Sequence, residues 1–211
     1  MRLVSLELST RMGSVSLIEN NKIINELTWE ENFKNRQQLF DALADINVDW
    51  KTIDTFVVGR GPGSFSGLRV GFSVVNTLAA PHKANVIAHN SCVGFGKRFH
   101  NKEVVVVGDA RRNQLWIGSL MDGKILNQFK LIDYEELSSN IHADGILISP
   151  DYDRLAELIN PFQKKELQKP FYPLASEIGL VVIDNIQKDI KEEEFEPLYM
   201  HPPVFIEPKY S

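Results

Sequence analysis

The stretch Val57-Val58-Gly59-Arg60-Gly61-Pro62-Gly63-Ser64-Phe65-Ser66-Gly67-Leu68-Arg69-Val70-Gly71 holds five of the thirteen glycines of this 211-residue chain, and its reading decides the fold. The apolar run Thr55-Phe56-Val57-Val58 that leads into it has the composition of a buried strand, and a period near 3.6 begins at Leu68 and continues through Phe72, Val75 and Leu78. Strand, loop and helix therefore follow one another. Two readings of the loop stand side by side. Its backbone N–H groups at a helix N-terminus would favour an anion, with Gly61, Gly63, Ser64, Ser66 and Gly67 as the cradle. Alternatively its glycines only let the chain turn sharply and pack closely.

Working outward, Leu3 to Leu8, Ser14 to Ile18 and Ile23 to Trp29 read as a three-stranded meander. Gln37 to Ile46 reads as a helix with Leu39, Phe40, Leu43 and Ile46 on its apolar face. After the glycine loop, Leu68 to Ala79 is a helix ended by Pro81, followed by a short strand Val86 to Ala88 and a short helix Ser91 to Phe99. From Glu103 the pattern restarts. Strands are expected at Val104 to Val107, Gln114 to Leu120 and Lys124 to Ile132, then a helical turn Asp133 to Leu137, a strand Ile146 to Ile148 and a helix Asp151 to Ile159 with Leu155 and Leu158 inward. The two runs share an order of elements without a visible repeat, which argues for a duplicated α/β architecture divided into residues 1–102 and 103–211. A terminal helix is expected over Leu174 to Ile190, and Pro197 to Ser211 reads as extended.

Composition bounds the function. Hydrophobic residues at 43% and charged residues at 24% are those of a soluble globular chain. The net charge of −5 argues against a general nucleic-acid surface and against DNA as a partner. It is uneven: residues 1–102 carry 12 basic and 9 acidic side chains, and residues 103–211 carry 11 and 19, so a polyanion contact is expected in the first half. One cysteine, Cys92, excludes an internal disulfide and a cysteine-rich zinc module. With Glu7 interrupting the apolar start and no apolar run of membrane-spanning length, the chain reads as cytoplasmic and free of the membrane.

No catalytic set assembles from motifs. Gly67 is followed by Leu68 where a P-loop needs lysine, the dinucleotide fingerprint lacks its ribose-binding acid, and neither Ser64 nor Ser66 has the glycines of a nucleophile elbow. His82, His89, His100, His142 and His201 form no metal-binding spacing, so no metal is expected. Asp109 and Arg111, at the end of a strand, have two readings: the acid positions water or Mg²⁺ and the arginine meets phosphate, or Asp109 caps the turn toward Asn113. Arg60, Arg69 and Arg112 have the same pair of readings, phosphate or carboxylate.

Taken together, Gly59 to Gly71 resembles the GRGPGSFTGLRIG signature of the TsaB/YeaZ family, also called glycoprotease-like or M22 peptidase homologues, differing chiefly by Ser66 for threonine. Asp109-Ala110-Arg111 and Glu196-Pro197-Leu198-Tyr199 are similar to the family's later landmarks. The sequence departs from the pattern at Glu7-Leu8-Ser9, where the family has Asp-Thr-Ser or Asp-Thr-Ala, at Asn35 in place of a histidine, and at Met200-His201 in place of Leu-Arg. The resemblance implies an actin-like (acetate and sugar kinase/Hsc70/actin) ATPase fold, with two subdomains of mixed sheet and flanking helices. It implies a non-catalytic subunit that binds and activates TsaD for threonylcarbamoyl transfer to adenosine 37 of tRNAs reading codons that begin with A. A TsaE-like ATPase joins that assembly, tRNA is met indirectly, and ATP or ADP with Mg belongs at most to the complex. The resemblance places the partner interface, with TsaD or a second copy in a homodimer, on the first subdomain's helices: Leu39, Leu43, Leu68, Arg69, Phe72, Ser73, Val75 and Asn76. The alternatives are an ATP-dependent phosphotransferase or nucleotide hydrolase of the same superfamily, using the loop, Asp109 and Glu7, and a homodimeric module with another partner.

Overall fold

The structure, a computed structural model, describes residues 1–31, 37–141 and 145–202. The departure at Asn35 and the histidine at His142 lie outside the described residues. The first half runs β1 (Arg2–Glu7), β2 (Met12–Glu19), β3 (Lys22–Glu30), α1 (Gln37–Asp45), β4 (Thr55–Gly59), α2 (Phe65–Ala79), β5 (Asn85–His89) and α3 (Val93–Arg98). The second runs β6 (Val104–Arg111), β7 (Gln114–Met121), β8 (Lys124–Asp133), a 3-10 turn (Tyr134–Asn140), β9 (Ile146–Ile148), α4 (Tyr152–Ile159) and α5 (Ala175–Gln187). Two mixed sheets result, ordered β3-β2-β1-β4-β5 and β8-β7-β6-β9, each an antiparallel meander whose first strand pairs in parallel with the strand after the helical segment. The repeated order read from the sequence is thus a repeated architecture of mixed sheet and flanking helices.

Strand alternation sends residues to opposite faces, so each sheet is covered on both sides. In the first, Val4, Leu6, Phe56 and Val58 face α1 and α2 through Leu39, Ala42, Phe72 and Val75. Leu3, Ile18, Val57 and Ile87 face Ile178, Val182 and Ile183 of α5. In the second, Val104 and Val106 pack with Cys92 and Phe95 at the start of α3, and Val105 and Val107 pack with Leu155 and Ile159 of α4.

Helix α5 follows the second sheet in sequence and packs on the first. No side chain of its own caps its start; Ser14 Oγ accepts Ala175 N–H at 2.9 Å and Glu26 Oε1 accepts Ser176 N–H at 2.9 Å. Strands β2 and β3 thereby satisfy donors that every helix start leaves open, and Glu26 places negative charge at the positive helix end. Among the described residues no helix is long and apolar enough to cross a membrane.

Three expectations shift. Helix α2 begins at Phe65, ahead of Leu68, because Ser64 caps it by accepting Gly67 N–H at 3.2 Å. Helix α1 buries Leu39, Ala42 and the following Ile46, whereas Phe40, expected on the inner face, is 59% exposed. The inner stripe follows i, i+3, i+7 spacing from Leu39, which turns Phe40 toward the flank. In α4, Leu155 and Ile159 are the buried pair and Leu158 is half-buried.

Candidate functional site

The glycine loop lies directly on the turn that follows β1. A Cβ at Gly63, whose φ is 154°, would come within 2.1 Å of Ser9 O, and one at Gly67 within 2.0 Å of Leu8 O, so only a bare backbone fits. Ser64 N–H donates to Ser9 O at 2.7 Å, and Gly61 N–H donates to Ser91 Oγ at 2.9 Å. Together with the Gly67 cap, these bonds direct three of the cradle's donors into the protein. The chain also fastens its own C-terminal strap here: Leu198 N–H donates to Arg60 O at 2.7 Å.

Between the sheets lies a cleft of about 560 Å³. Gly63, Ser64 and Ser66 line one wall and Asp109 and Arg111 the other, while Gly61 and Gly67 are buried behind it. The cleft's charges are largely matched to each other. Asp109 receives Arg111 at 3.1 Å and Arg154 at 3.4 Å, and its Oδ1 caps the turn by accepting Arg111 N–H at 2.8 Å. Arg111, Arg112 and Asn113 all hold left-handed backbone there, with φ of 68°, 55° and 58°. Asp151 accepts Asp109 N–H at 3.0 Å; burial raises its pKa, a trend that bond partly offsets and the Asp109 carboxylate reinforces. Arg11, from the first half, reaches Asp153 of α4 at 3.2 Å and Glu30 at 3.4 Å.

Glu7 stands where the family resemblance expects an aspartate, and it does not line the cleft. It is fully buried and accepts Ser9 N–H, and its Oε2 occupies the space above Gly59, where a Cβ would come within 1.7 Å. Burial raises its pKa, against the weaker pull of the Ser9 and Ser91 hydroxyls and the Ser9 N–H. Glu193, on the strap, is the reverse case. Burial works against its ionisation too, but His89 at 2.8 Å, the Asn90 N–H and Arg60 at 3.3 Å outweigh it and lower the pKa. Among the described residues no three His, Cys, Asp or Glu side chains converge as a metal site. His201 bonds Ala110 O at 2.7 Å and His100 pairs with Asp122 at 2.7 Å.

A second concavity, about 430 Å³, opens between α1 and α2, walled by Phe40, Leu43, Trp50, Val74 and Leu78 with Ser73 at its side. The predicted interface residues divide around it. Leu39, Phe72 and Val75 are buried in the stripe that holds the two helices to the first sheet, and Leu68 is buried beside Gly61 of the loop. Leu43 and Ser73 line the groove, and Arg69 and Asn76 are exposed on α2. Phe40, Trp50, Val74 and Leu78 also wall the groove and are not among the predicted interface residues. The signal was present: Val70, Val74 and Leu78 form a second i, i+4 stripe on α2, beside the buried one. Two rings of the strap rest on the N-terminal half of α2, Phe195 on the buried Phe72 at 4.9 Å and Tyr199 on the still exposed Phe65 at 4.8 Å.

The architecture matches that of known proteins. YeaZ from Pseudomonas aeruginosa superposes with a TM-score of 0.77 at 19% identity over 94% of this chain and 100% of that one, and the ethanolamine utilization protein EutJ from Carboxydothermus hydrogenoformans with 0.50 at 11% identity over 86% and 90%. In sequence, the tRNA threonylcarbamoyladenosine biosynthesis protein TsaB of Haemophilus influenzae is 31% identical over 134 residues, 60% of this chain and 57% of that protein. An uncharacterized protein of Mycobacterium leprae is 37% identical over 84 residues, 39% of this chain and 23% of its own length. The profile of the family described as TsaD, tRNA N6-adenosine threonylcarbamoyltransferase, matches residues 37–169. The chain belongs to this family, and the TsaB/YeaZ resemblance carried by the glycine-rich stretch is borne out.

Proposed function

We propose that this chain is a non-catalytic scaffold and regulatory subunit that binds a TsaD-like protein through the α1–α2 groove and activates threonylcarbamoyl transfer to adenosine 37 of tRNAs reading codons that begin with A. The observation that carries the reading is the groove itself: an open apolar surface between two helices of the first sheet, with Phe40 59% exposed at its edge. Apolar side chains left in water favour burial against another surface, and exposed Ser73 and Thr77 on α2 allow a partner helix to approach closely. Docking activates if the partner's competent state binds the groove more tightly than its alternatives. A TsaE-like ATPase joins the assembly, any Mg-nucleotide belongs to the complex, a second copy uses the same groove when the partner is absent, and the compartment is the cytoplasm.

The test is co-purification with the organism's TsaD-type protein, together with tRNA modification in a strain lacking this gene. Loss of the modified adenosine, restored by the wild-type gene and not by Phe40→Asp, is the expected result. Unchanged modification on deletion would sink the proposal.

A further inference from the structure

We propose that the mouth of the cleft is a contact surface for single-stranded RNA, an inference that rests on the rim and is independent of the groove. Three arginines converge on the cleft from both halves, Arg11, Arg111 and Arg154, with side chains 53%, 65% and 56% exposed. Arg112 follows in the same left-handed turn and is exposed too. The cleft lining also holds a pair of exposed rings, Phe65 at 58% and Tyr199 at 41%, in tilted contact with centroids 4.8 Å apart and planes at 35°, with Arg69 over Phe65 at 5.4 Å. Cationic side chains flanking an exposed aromatic platform are what a nucleic-acid strand meets when its bases stack and its phosphates pass along arginines.

The exposure selects a strand over a free nucleotide. A small-molecule pocket buries most of its ligand around a few enclosed polar groups, whereas these arginines lie on the rim. The facing carboxylates are Asp109, Asp151, Asp153 and Glu30. Arg111 and Arg154 each reach Asp109, 8% exposed, through Nη1, which leaves their other guanidinium N–H groups for phosphate; Asp151 is turned to a backbone N–H, and the Arg11 pairs with Asp153 and Glu30 are solvent-exposed and cheap to exchange.

The test is fluorescence anisotropy of the full chain with a labelled unstructured RNA heptamer across a salt series. Three phosphate contacts give a log–log salt slope of about −2, and Arg111→Gln with Arg154→Gln reduces its magnitude by about 1.4. Phe65→Ala weakens binding roughly tenfold, while Phe65→Tyr, which keeps the ring and its contact with Tyr199, restores it. Phe40→Asp leaves RNA affinity unchanged, so failure here and failure of the groove are separate results. No binding at low salt, equal affinity for AMP or for duplex RNA, or binding indifferent to the arginine and Phe65 variants would each overturn the proposal.

Discussion

The α1–α2 groove and the inter-sheet cleft are both concave, and they differ in what their lining groups already do. In the cleft, Arg111 and Arg154 share Asp109, Arg11 holds Asp153 and Glu30, and Asp151 takes a backbone N–H. In the groove, Phe40 stands exposed and Leu43, Val74 and Leu78 are half-buried against the core, apolar groups with no such partners to make. Charges at a wet rim exchange partners at little cost, whereas exposed apolar area is relieved only by a surface that covers it, at about 25 cal/mol per Å². That difference is why we propose a protein partner for the groove and a polar strand for the cleft mouth.

The sharpest contrast lies within α1, between neighbours. Leu39 is 0% exposed and Phe40 59%. Leu39→Ala leaves a cavity under the helix and costs about 2–5 kcal/mol of unfolding free energy, read from urea unfolding. Phe40→Asp leaves that free energy within about 0.5 kcal/mol of wild type while weakening the TsaD-type partner by about 2–4 kcal/mol, the range of an aromatic hot spot. If Phe40→Asp unfolds the chain, the groove is core and the comparison collapses.

How much of this was legible follows from which interactions are local. The glycine loop announced itself because close approach to Ser9 O and Leu8 O demands glycine, and the strands because alternation is local. On α1 the spacing placed Leu39 and Ile46 inward correctly but put Phe40 beside them, and only packing against the sheet buried Ala42 and left Phe40 out. The cap on α5 from Ser14 and Glu26 spans more than 140 residues of sequence, at separations of 161 and 150, and no local pattern encodes it. The cleft was half legible: Asp109 and Arg111 were singled out, but their partner Arg154 and the cross-cleft Arg11 pair arise from tertiary placement alone.

Two glutamates set away from the cleft lining, Glu7 buried and Glu193 half-buried, carry opposite pH dependences. The fold favours protonated Glu7, so above the ordinary value of 4.5 the native chain binds more protons than the unfolded one, and stability falls as pH rises through the raised pKa. Glu193 is favoured as the carboxylate, so its contribution is present above 4.5 and is lost as pH falls through the lowered pKa. Glu7→Gln is therefore expected to remove the loss on the alkaline side, which runs to at most about 1.4 kcal/mol per pH unit, and to leave the acid side intact. Urea unfolding of both proteins from about pH 4 to pH 8 checks this; parallel curves would mean that Glu7 is ionised in the folded chain.

The smallest effect concerns the pair that crosses the cleft. Arg11 and Asp153 meet at 3.2 Å, but their side chains are 53% and 55% exposed, so water and salt screen the attraction and the ordering of a long side chain offsets it. What holds the two halves together at this level is instead the strap, through Leu198 on Arg60, Tyr199 on Phe65 and His201 on Ala110. Arg11→Ala should change unfolding free energy by no more than about 0.5 kcal/mol, with little dependence on ionic strength. A loss above about 1.5 kcal/mol that disappears in high salt would mean that the cleft is closed by its charges, and would erase the distinction between an exchangeable rim and an apolar groove that needs a partner.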